Sequence, residues 1–239
     1  MSEDVSPTFP PLLHGVEVPA HVDAFAKAVT QAMVDAEPGR ITFARDSGTM
    51  RAAICFVPDR VLRQALPGAL FAVLLGLNDA LGALAPPEVA VHFAWPNRVK
   101  VNGAYCGGLR AAAQYNDPDS EPDWLVIGVE VPVMPLDTRD PGHAPDETTL
   151  WEEGCVDLGA PQLIESWSRH MLVWINRFVS DGIAPLHEGW RHKCDTLGEE
   201  VSAPEAGTFM GIDEDGGMIL RQDGETRVVP LTTMLEGTG

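Results

Sequence analysis

The chain has 239 residues, of which 45% are hydrophobic and 21% charged. This length and composition are typical of a globular protein with one large domain, or with a main domain and a small appendage. Its 16 lysines and arginines stand against 35 acidic residues, a net charge of −19, and no basic cluster interrupts that excess. We therefore expect no nucleic-acid partner, because an acidic surface repels phosphate groups.

The sequence also argues against membrane insertion and against an oxidising compartment. The longest apolar-rich stretch, residues 69–84, is interrupted by Asn78 and Asp79 and is too short to span a bilayer. The N-terminus lacks the basic start and apolar run of a signal peptide. The four cysteines, at positions 55, 106, 155 and 194, are too far apart for a disulfide framework or a CxxC metal knuckle. These features favour the reducing cytoplasm.

The first half of the chain alternates between helical and strand patterns. An extended, proline-marked lead-in occupies the first 20 residues. Apolar residues then recur at helical spacing from Val22 until Pro38-Gly39 ends the helix. In chain order, the expected elements are a helix over 22–36, strands over 40–45 and 51–57, a helix over 61–84 and a buried strand over 89–93.

A β-hairpin follows and is the clearest local pattern in the chain. Residues 98–101 and 104–112 flank Asn102-Gly103, a pair that accepts the positive φ values of a type I′ turn at both central positions. A two-residue turn places Lys100 directly opposite Tyr105 on the same face of the ladder.

The second half begins with an alternating strand over 123–133 and a loop over 138–147 rich in proline, glycine and aspartate. An amphipathic helix is expected over 161–179, with Gly182 as its C-terminal cap. After a loop through Pro185, short strands alternate with glycine-marked turns from Trp190 onward. This pattern predicts a small antiparallel barrel that docks on the main domain.

Two blocks of sequence together resemble the biotin and lipoate protein ligase superfamily. The first contains Trp95-Pro96-Asn97, three residues of the KWPND motif of that family, followed by the hairpin, Gly107-Gly108-Leu109 and Ile127-Gly128-Val129. The second contains the segments LGEEV, GIDEDGGMIL and QDG, which are similar to the SH3-like C-terminal domain of the family. The resemblance implies an α+β fold with a mixed, largely antiparallel sheet packed by helices over residues 1–186, and an SH3-like β-barrel over 187–239.

The resemblance also implies an activity, but the motif positions of the family are altered here. Family members adenylate biotin or a lipoyl-type acid with ATP and magnesium and pass it to a lysine of an acceptor domain. The first and last residues of KWPND fall on Ala94 and Arg98, and the catalytic lysine falls on Tyr105. The GRGRxGR loop is reduced to residues 46–49, between Arg45 and Arg51. ATP, magnesium and biotin or lipoate are therefore implied by the resemblance alone.

The hairpin supplies the candidate catalytic residues. Lys100 can reach the space of the family's catalytic lysine from across the ladder, and Tyr105 occupies the lysine's own position; the alternative is that Lys100 is an exposed strand lysine. We expect a carboxylate or phosphate to lie against these two residues and Arg98, which is on the same strand face. The candidate ligand-binding residues are Arg45, Arg51, Trp95, Asn97, Arg98 and Gly108.

Cys155 offers a second route to catalysis, since octanoyltransferases of the superfamily carry a nucleophilic cysteine in a similar place. The adjacent glutamates would raise its pKa, and an ordinary cysteine is the alternative. No spacing of the seven histidines suggests a metal site. Two hypotheses therefore remain: a divergent biotin- or lipoate-type ligase or acyltransferase, and a non-catalytic relative that binds a small carboxylic acid or a partner such as an acceptor domain.

Overall fold

The computed structural model describes residues 6–46, 48–135 and 146–237. Its main domain is built on a seven-stranded sheet of order β1-β2-β3-β7-β6-β5-β4. In chain order its strands are β1 (His14–Pro19), β2 (Arg40–Arg45), β3 (Thr49–Phe56), β4 (Val91–Ala94), β5 (Arg98–Val101), β6 (Ala104–Ala113) and β7 (Leu125–Pro132). Among the strand pairs of this sheet in the described residues, only β1–β2 is parallel. The expected mixed, largely antiparallel sheet is confirmed.

Helices cover both faces of this sheet. They are α1 (Ala24–Val34), α2 (Leu62–Leu84), α3 (Ala160–Asp181) and α4 (Ala184–Lys193). Ala52 and Ile54 of β3 belong to the main core with α2 and α3, whereas Ala53 and Cys55 of the same strand pack in a smaller cluster with α1. Because side chains alternate along a strand, α1 lies on the opposite face from α2 and α3.

Helix α2 begins at Leu62 and is therefore longer than the apolar-rich stretch over residues 69–84. In the described part of the chain it is the single helix long and apolar enough to cross a bilayer, with a mean hydropathy of 1.5. However, 83% of that apolar window is buried inside the protein. Burial of this kind is typical of the core helix of a globular domain.

The C-terminal region forms a separate four-stranded antiparallel sheet of order β11-β10-β9-β8. Its strands are β8 (Glu200–Val201), β9 (Gly207–Ile212), β10 (Met218–Gln222) and β11 (Glu225–Val229), followed by a 3-10 turn over Leu231–Met234. Phe209 of this sheet lies edge-on to Trp190 of α4, with ring centroids 6.5 Å apart. The small β-domain expected to dock on the main domain is thus present.

Two elements differ from the sequence expectations. The lead-in contains β1, which pairs in parallel with β2. Helix α4 occupies the segment expected to be a loop and the start of the barrel, and Trp190 is a buried helical residue. Pro185 fits the first turn of this helix, and the basic residues of its last turn suit the negative end of the helix dipole. The expected domain boundary after residue 186 falls inside α4 and stays a prediction.

Parts of two expected loops lie outside the described residues. These parts are Ser47, in the turn between β2 and β3, and residues 136–145, which include most of the loop expected over 138–147.

Candidate functional site

The hairpin of β5 and β6 has the register expected from its turn. Asn102 and Gly103 have φ values of 50° and 94°, as a type I′ turn requires. Lys100 pairs with Tyr105 across the ladder. The neighbouring residue Val99 is fully buried in the main core, so Lys100 and Tyr105 lie on the face that points away from α2.

A β-bulge at Gly107 then shifts the register, so that Gly108 pairs with Arg98. Gly107 has a φ of 86°, and a Cβ at this position would lie 2.0 Å from the carbonyl oxygen of Glu130. Only glycine tolerates both conditions. The extra residue is on β6, so the alternation of side chains along β5 is unchanged. Arg98 therefore lies on the same face as Lys100 and its partner Tyr105.

Arg98, Lys100 and Tyr105 therefore form one cluster, as the sequence predicts. The Arg98 Cζ lies 4.4 Å from the centre of the Tyr105 ring, and the Lys100 Nζ lies 5.3 Å from it. Cations over an aromatic face are attracted by its quadrupole. Among the described residues, Arg98 makes no ion pair, so its guanidinium remains available to a ligand.

Lys100, in contrast, is already bound to a carboxylate. Its Nζ lies 2.8 Å from Oδ2 of Asp195, and both side chains are largely shielded from solvent. Burial by itself lowers the pKa of Lys100, but the hydrogen bond and the charge of Asp195 outweigh it and raise that pKa above its usual value. This ion pair connects β5 to the segment between α4 and β8. The negative charge of Asp195 compensates the positive charge of Lys100, which the sequence analysis proposed for catalysis.

Trp95, Asn97 and Gly108 have structural roles in and around the hairpin. The indole N–H of Trp95 is buried and donates to the carbonyl of Gly216 at 2.9 Å, which joins β4 to the C-terminal domain. The Asn97 side chain donates to the carbonyl of Leu109 at 2.5 Å. A Cβ on Gly108 would lie 2.7 Å from the Asn97 carbonyl oxygen. The close backbone approach that Gly108 permits is thus to the neighbouring strand.

The two arginines that flank the β2–β3 turn are separated by the sheet. Arg51 lies opposite Glu130, which in turn lies opposite Gly108, so Arg51 shares the face of Arg98. Its guanidinium binds the carboxylate of Asp46 at 2.6 Å. Along β2, the Arg45 side chain is on the same face as that of Phe43, which belongs to the main core. Arg45 forms an ion pair with Glu17. The structure therefore brings Arg51, but not Arg45, to the face of the candidate site.

Arg110 is a further cation on this face that the sequence reasoning missed. It follows Gly108 by two residues on β6 and binds both Glu236 and Asp23, at 2.6 and 2.8 Å. Its hydrogen bond to Glu236 is the main factor that raises its pKa. The alternation of β6 indicated the face of Arg110, but its partners lie 87 and 126 residues away in sequence. No local signal identifies such partners.

The structure favours the ordinary reading of Cys155. Its side chain is buried, with an exposed fraction of 3%. Burial, followed by the charges of Glu153 and Glu88, raises the pKa of its thiol, so the nucleophilic thiolate is disfavoured. In the described residues, no group of three or more histidine, cysteine or acidic side chains is arranged to hold a metal ion.

Comparisons with known proteins cover both regions of the chain. The model of the Biotin/lipoate A/B protein ligase family matches residues 9–192. A second model, described as a domain of unknown function (DUF4444), matches residues 197–237. A biotin–[acetyl-CoA-carboxylase] ligase of Paracoccus denitrificans is 28% identical over 174 residues, which are 70% of this chain and 72% of that protein.

Two solved structures have a similar fold over more than nine-tenths of the chain. A biotin protein ligase-like protein of unknown function from Silicibacter sp. TM1040 is 43% identical, with a TM-score of 0.90 over 97% of this chain and 100% of that one. The apo biotin protein ligase of Aquifex aeolicus has a TM-score of 0.73 over 91% of this chain and 96% of its own. Its identity is 16%, so this second likeness concerns the fold alone.

Proposed function

The chain belongs to the biotin/lipoate A/B protein ligase family, and within it we propose a protein that binds a small carboxylic acid of the biotin or lipoyl type at Arg98 and Tyr105 without adenylating it. The carboxylate of the acid accepts hydrogen bonds from the Arg98 guanidinium, whose planar fork matches a carboxylate in bidentate geometry. The Tyr105 hydroxyl is a neutral donor beside it.

One observation supports this proposal above the others. Of the four cations on this face, Arg98 is the one without a carboxylate partner among the described residues, since Arg51, Lys100 and Arg110 are each bound to an acidic side chain. Arg98 also belongs to the hairpin that resembles the family motif. A single free guanidinium is sufficient to hold one carboxylate.

The same charges disfavour a nucleotide. Adenylation requires cationic groups that neutralise the triphosphate and the charge that develops on the acyl phosphate. Here Lys100 is bound by Asp195, and Arg51 is bound by Asp46 in the turn where the family has its GRGRxGR loop. Glu130 adds a further carboxylate between Arg51 and Gly108. A polyphosphate placed on this face would meet more negative than positive side chains.

The test is calorimetric titration with biotin and with lipoate in the absence of ATP. We expect at least one acid to bind, and Arg98→Ala to weaken that binding at least tenfold, about 1.4 kcal/mol. The matched control is Arg45→Ala, which removes an arginine that points away from the site and should leave the affinity unchanged. The proposal is wrong if neither acid binds, or if Arg98→Ala and Arg45→Ala have equal effects.

A second candidate function is supported by the relative from Paracoccus denitrificans, which is named as a biotin ligase. In this case the chain attaches biotin or a lipoyl-type acid to a lysine of an acceptor domain with ATP and magnesium. Incubation with ATP, magnesium, biotin and a biotinyl acceptor domain distinguishes the two candidates by mass spectrometry. We expect no mass increase on the acceptor and no pyrophosphate release; either product would overturn binding without adenylation.

A further inference from the structure

An apolar cavity of about 420 Å³ lies on the opposite side of the sheet from Arg98. It opens between α2, α3 and the end of β3, and its volume is within the range of small-molecule sites. Small residues of α2, namely Ala65, Gly68 and Ala69, form one wall, and Ile175 and Phe178 of α3 lie across from them. A Cβ on Gly68 would lie 2.3 Å from the Phe178 ring, so this ring packs directly on α2 where it borders the cavity.

Large apolar side chains are exposed around the same cavity. Leu12 is 80% exposed, Val57 45% and Val179 70%, and all three border it. Single exposed apolar residues are ordinary on protein surfaces, but a contiguous group around a concave site is typical of ligand binding. Leu12 has a φ of 78°, as expected at the third position of the turn that the hydrogen bond from the Leu13 N–H to the Pro10 carbonyl closes.

The interior of the cavity carries no charge, whereas its mouth does. Of the described residues that border the cavity, only Asp59 and Arg60 are charged. At the mouth, Arg60 lies 4.8 Å above the Phe178 ring and uses its Nε to bind Asp59. No other hydrogen bond of Arg60 is formed with a described residue, so its terminal N–H groups are available to an anion.

We propose that this cavity binds an aliphatic amphiphile with an anionic head, with the chain between α2 and α3 and the head at Arg60. Asp59 occupies only the Nε of Arg60, so the terminal N–H groups beside the apolar interior complement such a molecule. This site is independent of the one proposed at Arg98, because the two lie on opposite faces of the sheet.

Titration with decanoate and with decanol tests the proposal by calorimetry. We expect decanoate to bind more tightly than decanol. Val179→Ser and Ala69→Phe should each weaken decanoate binding at least tenfold, the first by making the mouth polar and the second by filling the cavity. The matched control is Val173→Ser, since Val173 is 63% exposed on the same helix but does not border the cavity.

The head group is tested by a second matched pair. Arg60→Gln should weaken decanoate at least tenfold and leave decanol unchanged, whereas Arg63→Gln, three residues along and outside the cavity, should affect neither. Arg98→Ala should not change decanoate binding, and this result separates the site from the one proposed for the biotin-type acid. The proposal is wrong if decanoate does not bind, if Arg98→Ala abolishes its binding, or if Val173→Ser weakens it as much as Val179→Ser.

Discussion

Removal of the Lys100 charge should destabilise the fold, because Lys100 is a structural cation in this protein. The substitution Lys100→Met keeps most of the aliphatic stem that packs beside Tyr105 but removes the ammonium group. It leaves the Asp195 carboxylate without its Lys100 partner, and the Oδ1 atom of Asp195 is already buried without a hydrogen bond among the described residues. A partly buried carboxylate that loses its counter-ion retains the cost of its desolvation.

The size of the effect follows from the burial of the pair. Exposed ion pairs are worth about 0.2–1 kcal/mol, and breaking a fully buried pair costs about 3–5 kcal/mol. The Lys100 and Asp195 side chains are 15% and 24% exposed, between these limits, so we expect Lys100→Met to lower the free energy of unfolding by about 2 kcal/mol. In a chain of this size that corresponds to a decrease in Tm of roughly 6 °C.

The pH dependence of this stabilisation has a definite sign. Burial lowers the pKa of Lys100, but the hydrogen bond and the charge of Asp195 raise it above the usual value of 10.5 by more. The folded state therefore holds this proton more tightly than the unfolded state does. The stabilisation is fully present below pH 10.5 and is lost as the pH rises through the raised pKa.

Urea unfolding of the single variants and of the double variant Lys100→Met/Asp195→Asn measures the pair directly. We expect the double variant to be more stable than the sum of the two single losses predicts. Lys27→Met, on the exposed surface of α1, is the control and should leave the free energy of unfolding unchanged. The reasoning is refuted if Lys100→Met and Lys27→Met have equal effects, or if the two losses at the pair are additive.

Two further substitutions and one labelling experiment test other parts of the structure. Trp95→Phe removes the hydrogen bond to Gly216 and should cost about 1 kcal/mol; hydrogen exchange in β9 to β11 should become faster, and unchanged exchange would contradict this. Asp215→Asn should stabilise the protein at neutral pH, because burial, followed by the charge of Asp213, raises the pKa of Asp215 above 3.8. Urea unfolding should show that this gain in stability vanishes below pH 3.8, and a gain that is constant with pH would contradict the reasoning. Cys155 should react with iodoacetamide far more slowly in the native than in the unfolded protein, and equal rates would show an accessible thiolate.

Local patterns in the sequence were sufficient for the hairpin and for most of the main elements. Asn102-Gly103 determines a type I′ turn, and that turn determines that Lys100 faces Tyr105. Helix α2 follows from its leucine- and alanine-rich sequence, and α3 follows from its amphipathic spacing. These predictions succeeded because turn conformation and helical periodicity depend on residues within a few positions of one another.

Short or weakly patterned elements were not predicted. The sequence predicts an extended lead-in where the structure has β1, and a loop and a strand where it has α4, because a single short segment carries little periodic signal. The structure stabilises both through contacts with distant elements: β1 pairs with β2, and α4 buries Trp190 beside Phe71 of α2. Tertiary packing outweighs local preference in such segments.

The sequence by itself determined which side chains share the hairpin face, and the tertiary structure decided which of their charges are free. The turn places Lys100 opposite Tyr105, and the alternation of side chains along β5 adds Arg98 to the same face. That Lys100 is bound by Asp195, which lies 95 residues away, depends on α4 and the following segment returning to the edge of the sheet. A turn acts over neighbouring residues, whereas an ion pair between distant segments forms only when the completed fold brings them within a few ångströms of each other.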